Sequence, residues 1–314
     1  MQRTNRSILK GMAWLSVGLT TAAVLLRGWL LPSLRDGETG LFASGGVAVM
    51  LLLLGLVALA VLAFLGKEPR VEITGKGGLW LAISLLIGGG LLLVSDLWEC
   101  WVWLAMGELP PPQAADDTVL GIVALILQLL CGFLGSLALV RLGLVLLSEG
   151  ATRRGMAAWS GLAPVLWMWF RLARYEMSYI SAVRLSQSFF DVMMFVLELL
   201  FLFKLARYTA GAGKVNAGSL QFLACSTAVF SLSGPLVRLA MYFVGDAEAF
   251  LASRLAGLPD VAVGLVALAI AFALPVGEST VQSVSAPEEE ESETEAFSLP
   301  ETELVLPLEE ASEE

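Results

Sequence analysis

The sequence predicts an all-α polytopic transmembrane helix bundle of about eight spans, followed by a disordered acidic C-terminal tail. Three observations carry this. Apolar residues make up 57% of the 314 and charged residues only 15%, whereas a soluble domain uses about 25% charged residues. Apolar runs recur along the chain, and each matches the roughly 18–20 residues needed to cross a hydrocarbon core about 30 Å thick. The runs are continuous rather than alternating, so their backbone groups are satisfied within helices and not around a barrel.

The spans fall near 11–31, 44–65, 79–104, 118–147, 157–176, 187–206, 219–243 and 258–276, within a membrane domain over 1–277. Turn chemistry separates them: Pro32, the 66–78 segment, Pro110-Pro111-Pro112, the 150–155 and 211–218 segments, and Pro259. Asp116 or Asp117 is placed to cap the fourth span by accepting from its free N–H groups. The first span follows Arg3, Arg6 and Lys10, as a secretory signal would. It lacks a small-residue cleavage site and runs on past Arg27, so an uncleaved span is expected.

Basic residues alternate between loops. Arg3, Arg6 and Lys10; Lys67, Arg70 and Lys76; Arg153 and Arg154; and Arg207 and Lys214 fall on one side. The other side holds Arg35, nothing between 105 and 117, and Arg254. The positive-inside rule then puts both termini in the cytoplasm of a cell membrane, and the texture is that of multi-pass proteins of bacterial plasma membranes. Trp98, Trp101 and Trp103 gather at one outer interface, where amphipathic rings prefer to sit. The fifth span breaks the pattern. Its apolar stretch, 157–170, is too short to cross unaided, so the helix is expected to continue through Arg171 and Arg174. Arg171, Arg174, Ser178, Ser181, Arg184 and Ser188 then share one face.

From Gly277 onward the composition changes. Residues 278–314 hold 13 of the 29 acidic residues and no Lys or Arg, leaving 16 acids against all 19 bases in a body at +3. Such a segment has too little apolar content to fold. Its fragments Phe297–Pro300 and Leu304–Leu308 suit docking on a basic cytoplasmic partner. The body has no basic stripe with interleaved aromatics, so no nucleic acid is expected.

Histidine is absent from the chain, which removes His-ligated metals, haem, Ser-His and Cys-His nucleophiles and imidazole relays. Cys100, Cys131 and Cys225 stand singly among apolar residues, as small hydrophobes do. No cofactor or metal is expected, and the absence of a nucleophile–base pair points away from an enzyme. Gly211-Ala212-Gly213-Lys214 lacks the first glycine of a phosphate loop, and Val215 stands where that loop needs Ser or Thr. Gly88-Gly89-Gly90, and Gly132 with Ser136, permit close helix contact.

What remains is charge inside the spans. Each such group costs at least about 2.5–3.5 kcal/mol on insertion scales and therefore faces the bundle interior. Asp96, Glu99, Arg171, Arg174, Glu176, Asp191 and Arg238 fall in the outer half and Glu198 near the middle, while Arg141 and Lys204 lie toward the cytoplasm. Arg171, Arg174 and Arg238 are expected to neutralise Asp96, Glu99 and Asp191. Pro235 is placed to break the seventh helix beside Arg238. Two roles fit the set: an ion-pair network that fixes packing, or an outward-facing polar cavity for a small solute or ion. A membrane scaffold or signalling protein acting through the tail is the alternative from another class.

The topology is directly testable. Reporter fusions after Lys10, Pro111 and Ser279 are expected to read inside, outside and inside. An externally active fusion at Ser279 would overturn the eight-span arrangement.

Overall fold

A computed structural model describes residues 2–33, 45–65, 71–72, 76–106, 119–149, 158–177, 185–210, 217–244, 257–276 and 278–279. Side chains at several helix ends, Arg238 among them, lie outside the described residues, as do most of the connecting loops, the 107–118 and 178–184 segments and the expected tail beyond 279. The described residues form eight helices: α1 (Gln2–Ser33), α2 (Gly45–Leu65), α3 (Lys76–Met106), α4 (Val119–Glu149), α5 (Ala158–Met177), α6 (Leu185–Thr209), α7 (Ala217–Val244) and α8 (Leu258–Ala273). A short 3₁₀ turn, Leu274–Val276, follows α8. The two-residue strands β1 (Val71–Glu72) and β2 (Glu278–Ser279) pair antiparallel.

Four of these helices contain stretches long and apolar enough to cross a membrane: Arg6–Leu26, Gly78–Ala105, Val119–Ser148 and Ala217–Leu236. Leu54, Phe64, Trp80, Leu104, Leu120, Leu130 and Trp169 point outward. Soluble monomers rarely show contiguous apolar surface on this scale, whereas a lipid-facing surface requires it. The chain is an all-helical protein with the marks of membrane residence.

Helices α3 to α8 pack in chain order, and α8 closes back on α3. Residue pairs across successive interfaces run in opposite directions. Gly143 meets Ala82, Gly89 meets Ser136 and Gly132 meets Asp96 between α3 and α4; Gly135 meets Pro164 between α4 and α5. The result is an antiparallel ring of six helices, with α1 packed on α7 and α2 on both. At one end Gln221 of α7 donates from Nε2 to the Leu9 carbonyl of α1 (3.1 Å) and the Ala271 carbonyl of α8 (2.9 Å). A single side chain thus ties three helices.

Two features differ from what the sequence suggested. Helix α1 starts at Gln2, so its polar first turns are helical as well as its apolar run. Helix α7 continues unbroken through Pro235. Proline there removes one backbone hydrogen bond, but close neighbours sustain such helices in membrane bundles. Gly257 packs against the ring, where an added Cβ would lie 3.0 Å from Pro235 Cβ. The expected continuation of the fifth helix through Arg171 and Arg174 is present, and α5 ends at Met177.

The three consecutive glycines of α3 have different duties. A Cβ on Gly88 would lie 2.8 Å from Val266 of α8, and one on Gly89 would lie 2.9 Å from the Ser136 carbonyl of α4. A Cβ on Gly90 would meet nothing within 4 Å. Gly89→Ala must push two backbones apart, and overpacking of this kind costs about 1–3 kcal/mol. Gly90→Ala should be neutral or stabilising by up to about 1 kcal/mol, because alanine is the better helix former. Thermal unfolding of the two variants in detergent checks the contrast; equal midpoints would mean that α3 and α4 do not meet at Gly89.

Candidate functional site

Polar side chains enter the interior of the ring at one level, toward the end formed by the C-terminal halves of α3 and α5 and the N-terminal halves of α4, α6 and α8. From α5 come Arg171 and Arg174, spaced by three residues and so on one face. Each reaches a different set of partners.

Arg174 is 3% exposed and turns toward α3 and α4. Its Nη1 donates to Gln128 Oε1 (2.9 Å), and Gln128 Nε2 donates in turn to Glu99 Oε2 (3.3 Å). Arg174 Nη1 is 4.0 Å from the same carboxylate oxygen. The buried glutamine therefore links the cation to its acid, using its acceptor for one and its donor for the other.

Arg171 turns toward α6 and α8. Its Nη1 donates to Asp260 Oδ1, and Glu198 Oε2 stands 3.9 Å away. Its guanidinium carbon lies 4.8 Å from the Phe195 ring centroid and 5.5 Å from that of Trp167. Aromatic faces on two sides attract the cation and exclude water from it. Tyr175 packs edge-on against Phe195 at 5.1 Å and donates to Asp191 Oδ2 at 3.5 Å.

Not every acid is matched. Glu198 is 0% exposed, and among the described residues neither of its carboxylate oxygens has a hydrogen-bond partner. The Ser231 hydroxyl of α7 approaches it without reaching hydrogen-bond geometry. Asp96 is buried against Gly132, where any Cβ would overlap its Oδ2 and lie 2.7 Å from Trp167 Cδ1. The Trp167 indole N–H also approaches Asp96, yet neither Oδ2 nor Nε1 has a hydrogen-bond partner among the described residues. The described layer thus sets four carboxyls (Asp96, Glu99, Glu198, Asp260) against two guanidiniums. No group of three or more His, Cys, Asp or Glu among the described residues is arranged to hold a metal ion.

Of the residues singled out in the sequence, Asp96, Glu99, Arg171, Arg174 and Glu198 meet in this layer, with Asp191 at its edge. Glu176 is exposed on α5 and outside it. Arg238 lies on α7, and its side chain is outside the described residues. Arg174 meets Glu99, one of the acids expected to be neutralised by the arginines, and Arg171 bonds outside the expected set. Arg171 takes Asp260, which follows Pro259 in the first turn of α8 and is not among the residues singled out in the sequence. Gln128 carries no charge and was passed over among ionisable groups. A lone glutamine in an otherwise apolar span, and an acid in a first helical turn, were the available signals.

Breaking the Arg174 set is expected to be costly. Arg174→Gln leaves the half-buried Glu99 against a neutral partner, and since removing one member of a fully buried pair costs about 3–5 kcal/mol, a loss toward the lower end of that range is expected. Arg174→Gln with Glu99→Gln should cost less than the two singles combined, since each has already lost what the other needs. Thermal midpoints in detergent supply the cycle, and strict additivity would mean the two groups are solvated independently.

Comparison with protein-family models, with characterised proteins and with solved structures finds no match to this chain, so any reading of function has to start from the chemistry of the layer.

Proposed function

We propose that the chain is an eight-span membrane protein that binds, and moves across the membrane, a small solute or ion through an outward-facing polar cavity at this layer. The carrying observation is the set of buried carboxylate oxygens on Glu198 and Asp96 that have no hydrogen-bond partner among the described residues. A network kept only for packing gains nothing from them, because an unpaired buried acid costs stability. A site that exchanges ligands needs groups left unsatisfied in one of its states. Two of the remaining helices have the length to span: α2 has 21 residues and no charge, and α6 has 25 residues. In this reading the membrane is the bacterial plasma membrane, with both termini cytoplasmic and residues 278–314 a disordered tail.

The composition of that tail favours one other role, a scaffold or signalling protein whose acidic tail docks on a basic cytoplasmic partner. Thirteen acids without a cation, broken by Phe297–Pro300 and Leu304–Leu308, are the feature behind it.

Thiol accessibility tests the cavity. In a background with Cys100, Cys131 and Cys225 changed to Ala, Asp191→Cys and Gln128→Cys are treated with a membrane-impermeant methanethiosulfonate on intact cells. Labelling at Asp191→Cys, weaker at the deeper Gln128→Cys, is expected. Silence at both positions would mean a sealed structural network and end the transport reading. Deleting 278–314 separates the two roles, since a transporter keeps its cellular phenotype without the tail and a scaffold loses it.

A further inference from the structure

One guanidinium faces two carboxyls inside the ring. Arg171 Nη1 is bonded to Asp260 of α8 and stands 3.9 Å from Glu198 of α6. Both acids are buried, Asp260 at 1% exposed and Glu198 fully. Asp260 has the short contact; Glu198 has no hydrogen-bond partner for either oxygen among the described residues. Two ionised carboxylates here would set two negative charges against this one guanidinium, with no hydrogen bond to Glu198 among the described residues. A single proton removes the excess charge.

The groups facing Glu198 are few. Arg171 comes from α5, with Arg174 one turn further on and directed to Glu99 of α3. Asp260 comes from α8. Ser231 comes from α7, which also carries Arg238 seven residues on, its side chain outside the described residues. Helix α2 offers no charge along its length. On α6 itself, Asp191 lies two turns away and accepts from Tyr175.

We propose that Glu198 and Asp260 share one exchangeable proton, with Arg171 the counter-ion of whichever acid is ionised. The arrangement assigned to the contacts described has Arg171 on Asp260 and the proton on Glu198. In the alternate one, the O–H bond of Glu198 breaks and its electron pair stays on the carboxylate oxygen. The proton joins the Asp260 carboxylate, and the guanidinium moves to Glu198. Each arrangement holds one cation, one anion and one acidic proton, so the exchange adds no net charge to the interior. It carries a proton between a site deep in α6 and one in the first turn of α8. This deepens the transport reading, on which its use in the cell rests, by naming the proton as the coupling ion.

The test needs no solute, so its failure and the failure of transport are separate events. Infrared spectra of the full chain in lipid nanodiscs at neutral pH report protonated carboxyl C=O groups. Wild type should show a component that shifts on deuteration and disappears in Glu198→Gln. The same component should disappear in Asp260→Asn, where Glu198 is intact but becomes the partner of Arg171. In Arg171→Gln the component should persist and a second one appear. A component absent from wild type, or one that survives Asp260→Asn, overturns the sharing. Thermal stability gives an independent measure. Each acid substitution alone should lower the midpoint little, whereas Glu198→Gln with Asp260→Asn removes both of these carboxylates from Arg171 and should lower it by much more than the two singles combined. If Asp260→Asn alone unfolds the protein, or matches the double variant, Asp260 is the fixed partner of Arg171 and the proposal fails.

Discussion

Two guanidiniums must be kept inside a ring of apolar helices, and most of the architecture can be traced to that constraint. An arginine in such surroundings persists only with its partners in place. Arg171 and Arg174 are separated by less than a turn of α5, yet one is directed to α6 and α8 and the other to α3 and α4. Satisfying both at once fixes the rotation of α5 and the level of four other helices. An error of one turn in any of them would strand a cation.

Such close registration requires helices that approach closely, and small residues provide it. Gly89 and Gly143 bring α3 and α4 backbone to backbone, Gly135 seats the Pro164 turn of α5, and Gly161 lies against Ala206 of α6. Gly132 has a second role, because the space a side chain would fill is taken by the Asp96 carboxyl and Trp167. Packing and polar chemistry are thus specified together on α4. The face that lets α3 and α5 approach also carries Gln128, which joins Arg174 to Glu99.

Much of this was legible in the sequence, for reasons that can be stated residue by residue. Long apolar runs announce helices because lipid permits little else, and the shortfall of apolar residues after Phe170 required α5 to extend through its arginines. The identity of the layer followed from the cost of charge in a span. Apart from Arg174 with Glu99, the pairing did not follow, because a helical wheel shows which face a residue occupies but not which helix lies opposite. Only ring closure, with α8 returning to α3, brings Asp260 across to Arg171. Local reasoning also overvalued Pro235: its missing hydrogen bond is a property of one residue, whereas the continuity of α7 depends on its neighbours. Glu176 was misjudged for the opposite reason, since it follows the two arginines in sequence but lies on another face of the helix.

The two ends of the ring are built differently, and the difference bears on what the layer can do. At one end Gln221 joins α1, α7 and α8, and β1 pairs with β2 across the segments that flank α3 and α8. These contacts are directed at backbone carbonyls, and Gln221 Oε1 itself has no hydrogen-bond partner among the described residues. Toward the other end lie the acids of the layer, with Glu198 and Asp96 Oδ2 lacking hydrogen-bond partners among the described residues. Of the four acids, only Asp260 sits within the first turn of a helix, where the macrodipole favours negative charge. Glu198 lies roughly three and a half turns inside α6, beyond the reach of that effect. The dipole therefore favours Asp260 as the bonded partner of Arg171, while Glu198 stands 3.9 Å from the same guanidinium with no hydrogen-bond partner among the described residues. The two acids thus make unequal claims on one cation, and the difference comes from where each sits along its own helix.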